Sequence, residues 1–173
     1  MDIKELLNNK SIKGIEKVKQ LTLAISNKEA LVEEIIDVCK TLKDPAIAFC
    51  MEAVEAVTNL NPEISNIEYL KFAASYVASK SNSLKRESAR VIGNIAMLYP
   101  NDLDKSIKDL LNNANDEGTV VRWSAAYALS RIVIIPKYIN SELFGILVEI
   151  CEKEEKNSIK NIYLKAFKKL EIK

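Results

Sequence analysis

Asp116-Glu117-Gly118-Thr119-Val120-Val121-Arg122-Trp123-Ser124-Ala125-Ala126-Tyr127-Ala128-Leu129-Ser130-Arg131-Ile132 is the stretch on which the reading of this chain turns. Its apolar residues Val121, Ala125, Ala128, Leu129 and Ile132 recur at intervals of three and four. At 100° per residue they fall on one side of a helix. The same spacing recurs through Ile67, Leu70, Ala74 and Val77, and no segment alternates for long enough to argue a strand. Asn101-Asp102 is expected to cap the helix through Leu103, Ile107 and Leu110, and Ser141-Glu142 to open another.

Working outward, the pattern repeats. Val121-Arg122 is followed by Ala126, Ala128, Leu129 and Ile132. Leu84-Lys85 is followed at the same offsets by Ala89, Val91, Ile92 and Ile95, and Ile159-Lys160 by Leu164, Ala166, Phe167 and Leu170. The starts lie 37 and 38 residues apart, and Ala46, 38 residues before Leu84, leads Met51, Ala53, Val54 and Val57 in the same register. Pro62, Pro100 and Pro136, separated by 38 and 36 residues, follow apolar helices at matching corners. Proline cannot continue a helix and pushes its predecessor out of helical geometry. Two helices in each such period are the mark of a stacked helical repeat.

In these residues the chain resembles the HEAT repeats, a helical-pair family of armadillo-like solenoids. The family's second helix carries Asp, then Val-Arg, then Ala-Ala, Ala-Leu and a later Ile, which the opening stretch resembles residue by residue. Leu84-Lys85 with Ile92-Gly93-Asn94-Ile95 follows the pattern next best. Asp44-Pro45 resembles the opening pair, with the register shifted by one residue and Ile47 in the place of the Arg. The resemblance covers about residues 28 to 172. It implies an all-α solenoid, a right-handed superhelical stack of five helical pairs at roughly 2–26, 28–60, 64–99, 102–135 and 140–172, forming one domain over 1–173. It also implies that Arg122, Lys85 and Lys160 bond acids of a neighbouring repeat, with Asp116 and Asp44 as candidates.

Composition limits the chemistry. The 173 residues hold 25 Lys+Arg against 24 Asp+Glu, for a net charge of +1, and 48% are apolar. That share suits a packed core. There is no histidine, so neither a Ser–His or Cys–His nucleophile pair nor a His-ligated metal is available. The 4 glycines are scattered and make no phosphate cradle. Cys39, Cys50 and Cys151 lack metal-ligand spacing and read as core residues of a reducing compartment. The N-terminus lacks the basic and apolar regions of a secretory signal, and no apolar run approaches a membrane span. A cytoplasmic protein with no cofactor and no membrane contact is the expectation.

The resemblance places second helices along an inner, concave surface. On this sequence's own wheel Trp123, Tyr127, Ser130 and Arg131 point away from the buried arc. One period earlier stand Arg86, Arg90, Gly93 and Asn94; two earlier Ala48, Glu52, Glu55 and Ala56; one later Asn161, Lys165, Lys168 and Lys169. The stripe runs from acidic, through arginine and aromatic, to basic. Trp, Tyr and Arg dominate binding energy at interface centres. Trp123, Tyr127, Arg86, Arg90 and Arg131, with Lys165 and Lys168 on the basic side, are therefore the candidate partner-binding residues. They suit an acidic or amphipathic peptide, or stacking on nucleic-acid bases. Residues 156–173 hold six lysines and one acid. This run, and the segment Lys10 to Lys19 with Lys13, Glu16 and Lys17, read as solvated capping faces.

The expected function is a non-catalytic scaffold or adaptor binding another protein. The alternative is a nucleic-acid-binding module similar to HEAT-like glycosylases of alkylated DNA. That relationship would call for an Asp on the inner stripe, where only Glu52 and Glu55 are found.

Overall fold

The computed structural model describes residues 1–171, and among them every regular element is helical. Ile172, the last residue of the fifth expected pair, and Lys173 of the lysine run lie outside the described residues. The helices are α1 (Ile3–Asn8), α2 (Gly14–Ser26), α3 (Val32–Cys39), α4 (Asp44–Leu60), α5 (Ile67–Tyr76), α6 (Asn82–Ile95), α7 (Asp104–Asn113), α8 (Thr119–Ile132), α9 (Pro136–Ile139), α10 (Glu142–Lys153) and α11 (Asn157–Glu171). Two 3-10 turns, Pro62–Ile64 and Ala96–Leu98, follow α4 and α6.

Capping residues set several starts. Asp2 Oδ1 accepts from the Glu5 amide, Asn66 Oδ1 from Glu68, and Ser141 Oγ from Leu143. Each satisfies a backbone donor that the first turn leaves orphaned. The expected cap at Asn101-Asp102 does not form. The Asp102 amide turns back onto the Tyr99 carbonyl, α7 begins at Asp104, and the residue before it is the fully buried Leu103. The prolines mark corners: Pro62 opens a 3-10 turn, Pro136 is the first residue of α9, and Pro100 follows the turn after α6.

The principal packing runs through the longer, second helices: α2 on α4, α4 on α6, α6 on α8 and α8 on α11. Shorter α3, α5 and α7 lie against α4, α6 and α8, and α10 lies against α11. Close approach of α6 and α8 depends on Gly93. A Cβ there would meet the Ala128 Cα and the Tyr127 ring at 3.0 Å. The core is continuous, from Leu6 and Leu21 through Met51, Ile92 and Leu129 to Tyr163.

Long-range polar contacts keep a period of their own. Among the described residues, every side-chain hydrogen bond spanning more than ten residues spans between 31 and 39. Tyr99 Oη donates to the Ser65 carbonyl and Tyr138 Oη to that of Pro100, each tying a corner to the one before it.

Lys17 corrects an expectation. Placed by sequence on a solvated capping face, it is buried, and its Nζ donates to the Leu7 carbonyl at 2.6 Å. That carbonyl is one of the unpaired acceptors in the last turn of α1, where a cation is favoured. The three cysteines are buried thiols. The neighbouring Cys39 thiol and burial push the Cys50 thiol above its ordinary range.

Candidate functional site

The second helices α4, α6 and α8 bring together the polar residues that the wheel had placed on one stripe. Glu55, one residue in from the acidic end of that stripe, is buried, and its Oε1 lies 2.8 Å from Arg90 Nη2 on α6. Arg90 Nη1 lies 3.2 Å from Glu87 Oε2, and Arg86 binds the other oxygen of Glu87. Asn94, one turn beyond Arg90, spans the helices. Its amide is 2.6 Å from Tyr127 Oη on α8 and 3.2 Å from Thr58 Oγ1 on α4, whichever way the amide is turned. Two buried carboxylates, two arginines, an amide and two hydroxyls thus form one network across three helices.

Burial pushes the Glu55 carboxyl above its ordinary range; Arg90 opposes this and Glu87 adds to it. Burial likewise raises the Tyr127 phenol, so it stays protonated. Charge in the network balances: Glu55 and Glu87 against Arg86 and Arg90. Within a low-dielectric interior such a set is tolerated only when each charge is paired.

At the edge of this network the aromatics come to the surface. Trp123 stacks on Tyr127 with centroids 5.7 Å apart and planes 17° from parallel. The Arg131 guanidinium sits 4.4 Å over the Tyr127 ring. These three side chains, one turn apart on α8, form a column of Trp, Tyr and Arg, and Trp123 remains 36% exposed. Such offset stacking and cation–π contact hold the column in place before any partner arrives.

The other candidates fall as follows. Arg86 and Arg90 are partly exposed and already paired. Lys165 and Lys168 are exposed on α11, which packs on α8. Ser130, expected to face outward with Trp123, is buried and its hydroxyl has no partner. Gly93, Asn94 and Glu55 are buried too. One cause accounts for all four. A helix flanked on both sides, as α4, α6 and α8 are, buries a wider arc than the single stripe of an amphipathic helix. Glu87 was missed by sequence reasoning. Its signal lay in its place beside Arg86 and three residues before Arg90, within reach on a helix face.

A second polar set lies at the N-terminal ends of α6 and α8. Lys85 Nζ binds Asp116 Oδ2 at 2.7 Å, and Arg122 binds both oxygens of Glu154, at 2.9 and 3.3 Å. Asp116 was expected as a partner of this basic position, and Lys85 takes it. The partner of Arg122 is Glu154 instead, while its Nη1 reaches the Asp116 and Glu117 carbonyls. Asp44 is exposed and, with Lys160, enters no ion pair among the described residues. Asp116 and Glu154, 38 apart, each accept a backbone amide two residues on, as Ser79 Oγ does from Ser81. The Lys85 hydrogen bond draws the Asp116 carboxyl below its ordinary range. For Glu154, burial acts upward, but the Arg122 and Lys156 hydrogen bonds prevail and its carboxyl is lowered. A cleft of about 310 Å³ beside Arg122 is walled by Asp116, Glu154 and Lys153, so its charges are largely those of the ladder itself.

No residues of a metal cluster are found among the described residues, and no described helix is long and apolar enough to cross a membrane. The sequence matches no family model and no curated protein. In three dimensions the chain is similar to an engineered protein whose crystal structure was determined by the Northeast Structural Genomics Consortium. The TM-score is 0.67 at 13% identity, over 98% of this chain and 79% of that one. At that identity the likeness concerns the fold alone.

Proposed function

We propose that the chain is a HEAT-like α-solenoid of five helical pairs that acts as a non-catalytic scaffold, binding another protein through the face of its second helices. The stacking order of α2, α4, α6, α8 and α11, and the 31–39-residue span of the long-range hydrogen bonds, support the repeat architecture. A single observation carries the function: the column of Trp123, Tyr127 and Arg131, held by stacking yet open at Trp123. A partly exposed, preorganised Trp beside Arg and Tyr is the composition of a binding hot spot, because little side-chain entropy is left to lose.

Arg86 and Arg90 argue against a nucleic-acid surface. Phosphate binding needs cations whose counterions can be released. Arg86 and Arg90 are instead neutralised from inside by Glu87 and Glu55.

The experiment is capture of a binding protein on the immobilised chain, followed by calorimetry of the purified partner against wild type and Trp123→Ala. Loss of about 2 kcal/mol or more on truncation is the expected result. Equal affinity for both overturns the reading. So does capture of nucleic acid in place of protein, with binding that falls by orders of magnitude between about 50 and 200 mM salt, the mark of phosphate contacts.

A further inference from the structure

The face of the second helices is electrically divided, and the division specifies what lies on it. Over α4 and α6 the cations are spent internally, as the Glu55–Arg90–Glu87–Arg86 set shows. Beyond that set, Leu60 at the end of α4 and Met97 after α6 are exposed, Asp44 is exposed at the start of α4, and Glu52 is half-buried. Over α8 and α11 the balance is different. Arg131, Lys165, Lys168 and Lys169 are all exposed, and none enters an ion pair with a carboxylate of residues 1–170. The period puts Lys165 at the register position of Tyr127, and Lys168 and Lys169 at those of Ser130 and Arg131. The four cations therefore form one bank beside the aromatic column, with Val120 and Trp123 exposed at its edge.

We infer that the partner is an acidic peptide segment with an aromatic or long aliphatic anchor. It lies across α8 and α11, its apolar side chain against Trp123 and its carboxylates over Arg131, Lys165 and Lys168. This rests on the protein-binding reading above and adds the chemistry of the partner. Complementary charge favours encounter and fixes direction, while the desolvated anchor holds the complex. The bank crosses only two helices, whose axes pack about 8–10 Å apart. That is room for two or three carboxylates followed by a neutral stretch. A phosphate backbone, charged along its whole length, would run on from the bank to Glu52.

The test is a selection of random twelve-residue peptides displayed on phage against the full chain. The enriched sequences are then synthesised and titrated against wild type, Trp123→Ala, Trp123→Phe and Lys165→Ala/Lys168→Ala, with circular dichroism confirming that each variant is folded. The altered side chains are exposed, so the fold is expected to tolerate them. Expected are peptides with acids to one side of an aromatic residue or Leu. Their affinity should fall at least about tenfold in Trp123→Ala and in the double lysine variant. Trp123→Phe should retain most of the binding. Peptides without acids that still depend on Trp123 would sink the acidic chemistry and leave the protein-binding reading standing. Peptides indifferent to Trp123 would sink both. No enrichment also overturns the inference, and a lysine-dependent, salt-sensitive affinity for a labelled twenty-nucleotide poly-dT would reassign the bank to nucleic acid.

Discussion

Two polar sets on the second helices solve the same problem differently. At the N-terminal ends, Lys85 with Asp116 and Arg122 with Glu154 repeat one contact at successive periods, and each acid also closes the turn before the next helix. Further along, Glu55, Glu87, Arg90, Asn94 and Tyr127 make a network that has no copy among the other described residues. A contact that recurs with the fold's period belongs to the architecture. A buried set of charges that does not recur is specific to this chain, and it lies directly beneath the exposed Trp123.

Breaking the non-repeating network should cost most. Arg90→Met strands Glu55 as a buried carboxylate and leaves Glu87 with Arg86 alone, and a loss of about 3 kcal/mol is expected. In a chain of this length that lowers Tm by roughly 6–12 °C. Adding Glu55→Gln should restore part of the loss, so additive effects in a thermal melt would show that the two groups are not coupled.

Gly93→Ala tests the close approach that lets Tyr127 reach Asn94. Its new Cβ meets backbone at Ala128, which cannot swing aside. About 1–3 kcal/mol of destabilisation is expected from denaturant unfolding, and an unchanged midpoint would refute the steric account.

The Lys85–Asp116 and Arg122–Glu154 pairs should yield a comparable loss or a smaller one. Arg122→Ala removes a bidentate contact to a buried carboxylate and should cost about 1.5–3 kcal/mol, whereas Lys85→Ala, whose pair is more exposed, should cost about 1 kcal/mol or less. Both carboxyls are lowered in the folded state, so the stability they give is full above the ordinary carboxylate range and is lost as pH falls through their folded pKa values. The gap between wild type and Arg122→Ala should therefore close on acidification. A gap constant down to acid pH would remove the ion pair from the explanation.

Glu55 gives the smallest effect and the opposite sign. Its carboxyl is raised in the folded state, so its contribution is full below the ordinary range and is lost as pH rises through the folded pKa. Stability of Glu55→Gln relative to wild type should rise from pH 4 to pH 7. A flat or falling difference would show that Arg90 outweighs burial.

Much of this comparison was legible before the structure. The spacing of Val121, Ala125, Leu129 and Ile132 identified a helix, and Pro62, Pro100 and Pro136 marked its corners, because both signals are local. The column on α8 was legible for the same reason: Trp123, Tyr127 and Arg131 are one turn apart on a single helix. What failed to show depended on neighbours. A wheel orients a side chain about its own axis and says nothing of how closely the next helix approaches. Ser130 was therefore placed outward and Lys17 in solvent, and Glu154 was passed over as the partner of Arg122. Glu87 was hidden because its burial depends on two arginines folding back over it.

The 31–39-residue span of the long-range hydrogen bonds also has a kinetic meaning. Closing a loop costs entropy that grows with the logarithm of its length, so all these closures are about equally costly and none requires distant parts of the chain to meet. On the proposed repeat architecture, folding can begin at any adjacent pair and spread along the chain. Unfolding should travel the same way, with amide protection lowest at the ends, where a pair has one neighbour, and highest around α6, which has one on each side. The face carrying Trp123 borders that most protected centre, so it should stay assembled while the termini open and close.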